Sequence, residues 1–407
     1  MDSTFVRSLY SSLDPNIALF ENAGGTQVPD IVMAQAADFY GKLNVQPGYP
    51  YQKSMDCLQV LNEAHDAAGR FIGVQTSGRI VLGPSATALN RMMAVALLER
   101  FKPGDEIIVT VSDHEANVSP WMYLKRYGIE VKIWNIDPGT FELEVKNLKE
   151  LITPRTVLVA FPHISNVLGT VNDIVALTSI VHDAGALAYV DGVASVPHVY
   201  VDVESTGVDF YVYSLYKTFG PHMAALYVRR ELLQSLEGAN HFFLNDMIPK
   251  KFELGTPNLE GCAAVLGVEE YFSIIQKHEF GNGKGKNNPF PVVMKAVKEY
   301  EKGLTARLLE GLAESDRIRI IGFSKDQQPE RRVPVVSFTV EGIQPRDAAE
   351  KLAERGIAVG CGHFYAYRLV DFLGLMEKGG VLRASLVHYN TLEEADRFLQ
   401  ALFSILD

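Results

Sequence analysis

The sequence predicts an α/β protein: a large domain built on a mainly parallel central sheet, with a smaller α+β domain at the C-terminus. Three observations carry that expectation. Short apolar runs rich in β-formers alternate with helical spacing through the middle of the chain. The pattern changes character after about residue 265. At 407 residues the chain is also too long for one small core.

Taken in order, strands are expected at Glu106–Thr110, Val131–Trp134, Val157–Phe161 and Leu187–Val190. Between the last two, Ile174, Leu177, Ile180 and Val181 recur at helical spacing within Asp173–Asp183. This strand–helix–strand rhythm implies parallel strands covered by helices on both faces. Further strands are expected at Phe210–Tyr213 and Ala225–Val228. Beyond residue 265, Gly281–Pro289 is the most loop-like stretch; its glycines and lysines lack the spacing and the preceding strand of a phosphate loop, so it reads as a surface loop. A long helical pattern follows, then a strand at Val333–Val340 and a final helix from about Leu392 to Leu406. This places the large domain at residues 15–265 and the small domain at residues 1–14 together with 266–407.

Composition narrows the function classes. With 47% hydrophobic and 21% charged residues, collagen-like, low-complexity and disordered chains are excluded. Lysine and arginine number 38 against 49 acidic residues, a net charge of −11, which gives no basic character for nucleic acid or anionic lipid. No apolar run reaches the ~18–20 residues of a membrane helix. The cysteines Cys57, Cys262 and Cys361 are sparse and form no CxxC, which argues against a disulfide scaffold and against a metal or iron–sulfur centre. The N-terminus, MDSTFVRSLYSSLDPN, shows no charged segment leading into an apolar one. A cytoplasmic protein with reduced thiols, no metal, and neither nucleic-acid nor membrane partners is expected.

Two residues point to chemistry. Asp191 directly follows the strand Leu187–Val190, and Lys217 follows the strand Phe210–Tyr213 among aromatic and small residues. In a parallel sheet both lie at the C-terminal edge, where ligands bind. A desolvated lysine there has a lowered pKa and offers the neutral amine a Schiff base needs. A nearby carboxylate can keep a pyridine nitrogen protonated, and these are the two requirements of pyridoxal 5′-phosphate.

Six separated motifs add to that pair: Asp113-His-Glu-Ala-Asn-Val-Ser-Pro-Trp121, His163-Ile-Ser-Asn-Val-Leu-Gly-Thr170, Val190-Asp-Gly192, Ser214-Leu-Tyr-Lys217, Phe252-Glu-Leu-Gly-Thr-Pro-Asn258 and Arg383-Ala-Ser385. With Asn22-Ala-Gly-Gly-Thr-Gln27 and His388-Tyr-Asn-Thr391 at the ends, the chain resembles the class V aminotransferase group of pyridoxal-phosphate enzymes. Within that group it is similar to the cysteine desulfurase/selenocysteine lyase-like family. The resemblance implies the fold type I transferase architecture and a set of roles. Lys217 would bind the cofactor covalently, Asp191 would pair with the pyridine nitrogen, and His114 would stack on the ring; Lys217 or His114 would move the proton in catalysis. Asn166 would donate to the ring's phenolate oxygen. Ser85 and Ala86, at the start of the helix after Gly83-Pro84, would cup the phosphate, helped by Ser214 and by Tyr216. Thr256 would reach the phosphate of a neighbouring subunit, making the enzyme a homodimer. Arg383 would fork onto the α-carboxylate of a small amino-acid substrate.

The resemblance has two departures. In Gly362-His-Phe-Tyr-Ala366 the position of the desulfurases' sulfur-accepting cysteine falls on Tyr365, and Cys361 lies four positions earlier. Tyrosine cannot accept a sulfane sulfur. Ala194 stands where desulfurases carry a glutamine beside the phenolate oxygen. The expected function is therefore lyase-type chemistry on an α-amino acid, by decarboxylation, elimination or C–C bond formation, without a persulfide relay. The alternatives are a cysteine desulfurase or selenocysteine lyase, or a class V aminotransferase. A non-catalytic binding protein is disfavoured, because it would have no need of Lys217, Asp191, His114, Asn166 and Arg383 together.

Overall fold

Strand direction and burial organise the chain around two sheets. The computed structural model describes residues 1–75, 78–281, 288–324 and 331–406. The first strand, β1 (Ala18–Phe20), is followed by β2 (Gly78–Gly83), β3 (Glu106–Thr110), β4 (Glu130–Trp134), β5 (Thr156–Pro162), β6 (Leu187–Asp191), β7 (Phe210–Ser214) and β8 (Ala224–Arg229). The last four are β9 (Ile318–Ile321), β10 (Val335–Val340), β11 (Ile357–Gly362) and β12 (Val381–Ser385).

Seven strands in the order β2-β8-β7-β6-β5-β3-β4 form the large sheet, parallel except for β8, which runs antiparallel to both neighbours. Because strand side chains alternate, both faces of these apolar runs are buried. Ile108, Val159, Phe161, Ala188 and Val190 enter one core, while Ile107, Val109, Leu158, Ala160 and Tyr189 enter the core on the opposite face. The helix expected from Asp173 runs over Ile174–Asp183, and Asp173 is its cap: its Oδ1 accepts from the Ala176 N–H at 3.0 Å.

The second sheet has the order β1-β11-β12-β10-β9, antiparallel except for the β1–β11 pair. Helices Phe290–Leu312 and Leu392–Phe403 pack on it through Leu304, Leu308, Phe398 and Leu402. Strand β10 begins at Val335, two residues later than expected, since Pro334 has no N–H to give a ladder. The expected domain division does not coincide with the sheets. Ala18–Phe20 joins the second sheet, with Ala18 opposite Ile357, whereas Val6 and Tyr10 pack into a core of the large sheet. Helix Leu259–Phe280 runs straight across residue 265. Three residues are too few for a periodicity to reveal β1. The glycine-rich loop expected at 281–289 falls mostly, at 282–287, outside the described residues. No helix among the described residues is long and apolar enough to cross a membrane.

Candidate active site

Parallel strands bring their C-terminal ends to one edge of a sheet, and the expected functional residues gather there. β6 ends on Asp191; β7 ends on Ser214 and leads into a single 3-10 turn, Leu215–Lys217. β3 leads to Asp113 and His114, and β5 to Asn166. β2, which shares the direction of β7, leads to Ser85, whose Oγ caps helix Ala86–Leu98 by accepting from the Ala88 N–H at 3.2 Å. The first-turn amides and the dipole of that helix favour an anion.

Ser85, Ala86, Asp113, His114, Asn166, Asp191, Ser214, Tyr216 and Lys217 line a narrow recess of about 60 Å³. His114, Asn166, Tyr216 and Lys217 also line a wider cavity of about 640 Å³, whose wall includes Glu21, Phe364, Tyr365 and Arg383. Every expected site residue except Thr256 is therefore at the recess or the cavity. Thr256 is exposed and lines a separate cavity of about 280 Å³ with Pro84, His222 and Phe252.

Burial sets the electrostatics. Desolvation of the Lys217 ammonium, with the nearby Arg383 charge, lowers its pKa to about 8 against the pull of Asp191 and Glu21. Desolvation raises Asp191 to about 6, opposed by the Val193 N–H that it accepts at 2.8 Å and by the Lys217 charge. Asp113 is pushed well up by burial and by the Asp191 charge beside it. It accepts from Asn117 Nδ2 at 2.7 Å and from the His114 N–H at 2.8 Å. His114 Nδ1 accepts from the Ala116 N–H at 3.0 Å, which puts the ring proton on Nε2. Burial, with the charges of Lys217 and Arg383, lowers the His114 pKa to about 3, so the imidazole is neutral.

Two expected residues have partners within the chain. Asn166 Nδ2 donates one of its two amide protons to the Phe364 carbonyl at 2.9 Å, and its Oδ1 is buried without a partner. Arg383 is 2% exposed and already holds a carboxylate: its Nη2 donates to Glu21 Oε1 at 2.8 Å, and its Nη1 to the Asn166 carbonyl at 3.1 Å. The Phe364 ring covers the guanidinium 3.8 Å from its centroid. Phe364 and Tyr365 adopt φ of 50° and 57°, left-handed values that non-glycine residues seldom take and that turn both side chains into the cavity wall.

Sequence reasoning missed Glu21, Asp113 and Phe364 as site residues. Asp113 opens the motif that contains His114, and Glu21 directly precedes Asn22; only the fold reveals the burial of the first and the contact of the second with Arg383. Cys361 packs from β11 toward the core of the second sheet, and desolvation raises its thiol pKa. It is absent from the cavity lining, where Tyr365 stands instead, its ring 5.3 Å from that of His114.

Pyridoxal 5′-phosphate fits this donor set. A buried amine of lowered pKa, a buried carboxylate, a neutral flat imidazole and a helix N-terminus face one recess, with the unpartnered Asn166 Oδ1 in its wall.

The Aminotransferase class-V family model matches residues 18–398. Aminotransferase-like protein FGM3 of Gibberella zeae is 36% identical over 98% of this chain and 98% of its own. Cysteine desulfurase-like protein ustD of Aspergillus flavus is 31% identical over 100% of this chain and 91% of its own. The apo structure of the cysteine desulfurase from Thermococcus onnurineus NA1 superposes with a TM-score of 0.86 at 26% identity, over 99% of this chain and 98% of that one.

Proposed function

The chain belongs to the class V aminotransferase family and is an enzyme of its cysteine desulfurase-like group, and from that premise we propose that it carries pyridoxal 5′-phosphate on Lys217 and performs lyase-type chemistry on an α-amino acid without a sulfur relay. The observation that carries this reading is the common burial of Lys217 and Asp191 at the ends of the neighbouring parallel strands β7 and β6. Bound there, the cofactor supplies an electron sink for charge developing at the substrate Cα.

The chain's own residues do the rest. Asp191, held by the Val193 N–H, presents a carboxylate to a ring nitrogen. Lys217, with its pKa near 8, has an appreciable fraction of neutral amine at neutral pH and can take or return a proton at Cα. His114, fixed through Nδ1, offers a neutral face on which a ring stacks. Arg383 receives the substrate's carboxylate, and Phe364 keeps water from the guanidinium's face. Thr256, exposed in the protomer, is assigned to the phosphate site of a second subunit in a homodimer.

Two features favour a reaction other than desulfuration: the cavity wall offers the Tyr365 phenol, and the Cys361 thiol packs elsewhere with a raised pKa. A thiol of raised pKa is a poor nucleophile. The test is to incubate the cofactor-loaded enzyme with a panel of α-amino acids in D₂O. Deuterium uptake at Cα or loss of the carboxylate, without sulfide from L-cysteine, is the expected result. Efficient sulfide release that Cys361→Ser abolishes would overturn the reading.

A further inference from the structure

The arginine assigned to the substrate's carboxylate is already paired with a carboxylate of the same chain. Glu21 follows β1 directly, and its Oε1 accepts from Arg383 Nη2 at 2.8 Å. The two partners are held unequally. Arg383 is 2% exposed, anchored to the Asn166 carbonyl and covered by Phe364, whereas the Glu21 side chain is 40% exposed and faces the cavity. The arginine is therefore the fixed partner and the glutamate the movable one.

The chain is also shaped around this resting position. A Cβ on Gly24 would lie 2.3 Å from both Glu21 carboxylate oxygens, and one on Gly360 would lie 3.3 Å from Glu21 Cγ and 2.6 Å from the Phe364 ring. The two glycines leave a slot that seats the Glu21 carboxylate against Arg383. An anion reaching the guanidinium from the cavity meets the position that Glu21 occupies.

We propose that Glu21 is a built-in competitor for the substrate's carboxylate: it neutralises Arg383 in the resting site and must swing out when substrate binds. Glu21 is then a specificity-determining positioning residue. A carboxylate alone, which merely replaces one ion pair with another, gains little. Only a ligand with further contacts in the cavity displaces Glu21 and stays bound. This inference rests on the reading of Arg383 as the carboxylate-binding group.

The experiment titrates the cofactor-loaded enzyme with propionate, and with propionamide as the uncharged control, by isothermal calorimetry. Glu21→Gln keeps the shape and an acceptor oxygen while removing the charge. It is expected to bind propionate about tenfold more tightly than the wild type, with propionamide unchanged. Gly24→Ala, which crowds Glu21 out of its slot, is expected to act in the same direction, so the outcome does not depend on one variant folding. With an amino-acid substrate, Glu21→Gln is expected to lower KM and not to raise kcat. Propionate affinity that is equal or weaker in Glu21→Gln overturns the proposal, as does an equal gain for propionamide. If adding Arg383→Ala to Glu21→Gln leaves propionate affinity intact, the assignment of Arg383 itself fails, and that outcome is distinct from a failure at Glu21.

Discussion

Replacing Lys217 with methionine is expected to stabilise the cofactor-free protein while abolishing covalent capture of the cofactor. The side chain lies in a buried recess, and burial lowers its pKa from 10.5 to about 8. At 1.36 kcal/mol for each tenfold step, holding the ammonium there costs roughly 3 kcal/mol. The folded-state pKa lies below the unfolded one, so the unfolded chain binds more protons between about pH 8 and 10.5, and stability rises with pH across that window. Below pH 8 both states are protonated and the full cost applies; above 10.5 both are neutral and it vanishes. Methionine matches the length of the stem and carries no charge. Part of the gain is offset, because Asp191 loses a neighbouring cation and its pKa rises further above about 6. A net stabilisation of about 1–2 kcal/mol at pH 7, shrinking toward zero near pH 10.5, is the expected outcome. Urea unfolding midpoints of both cofactor-free proteins at the two pH values measure it. A variant less stable than the wild type at pH 7, or a difference independent of pH, would refute the reasoning.

Capture of pyridoxal 5′-phosphate by the cofactor-free enzyme should accelerate as pH rises through about 8, the Lys217 pKa, when followed by the growth of visible absorbance in stopped flow. Gly192→Ala should cost about 1–3 kcal/mol or more, since its Cβ would lie 2.1 Å from the Tyr211 ring. That ring cannot easily retreat, because its hydroxyl is held by Ser195 at 2.7 Å and His163 at 3.0 Å; thermal unfolding measures the loss. Cys361→Ser should leave kcat/KM within twofold on the best amino-acid substrate, because the thiol packs away from the cavity.

Much of the site was legible because its residues end strands that also announce themselves. Asp191 and Lys217 each follow an apolar β-forming run, so direction and edge followed from the α/β rhythm alone. The rest depended on contacts that sequence spacing does not encode. Glu21 meets Arg383 across 362 positions, through a three-residue strand and a bridge between Glu21 and Ser385. The antiparallel course of β8 does not follow from periodicity, which marks a strand without giving its direction; the readable signal is the short link from Ser214 to Ala224, which leaves no room for a parallel crossover. Nothing in Gly362-His-Phe-Tyr marks two consecutive left-handed residues, which is why Phe364 over Arg383 went unforeseen. The titration of Asp113 likewise follows from its burial beside Asp191 and not from its place before His114.

The central claim is that the buried amine of Lys217 is the one that takes up the cofactor. Loading the enzyme with pyridoxal 5′-phosphate, reducing it with borohydride and mapping the peptides by mass spectrometry tests that claim directly. One pyridoxyl group per chain is expected, on Lys217, and none after Lys217→Met. Stoichiometric labelling of a different lysine, or a protein that takes up no cofactor at all, would contradict it.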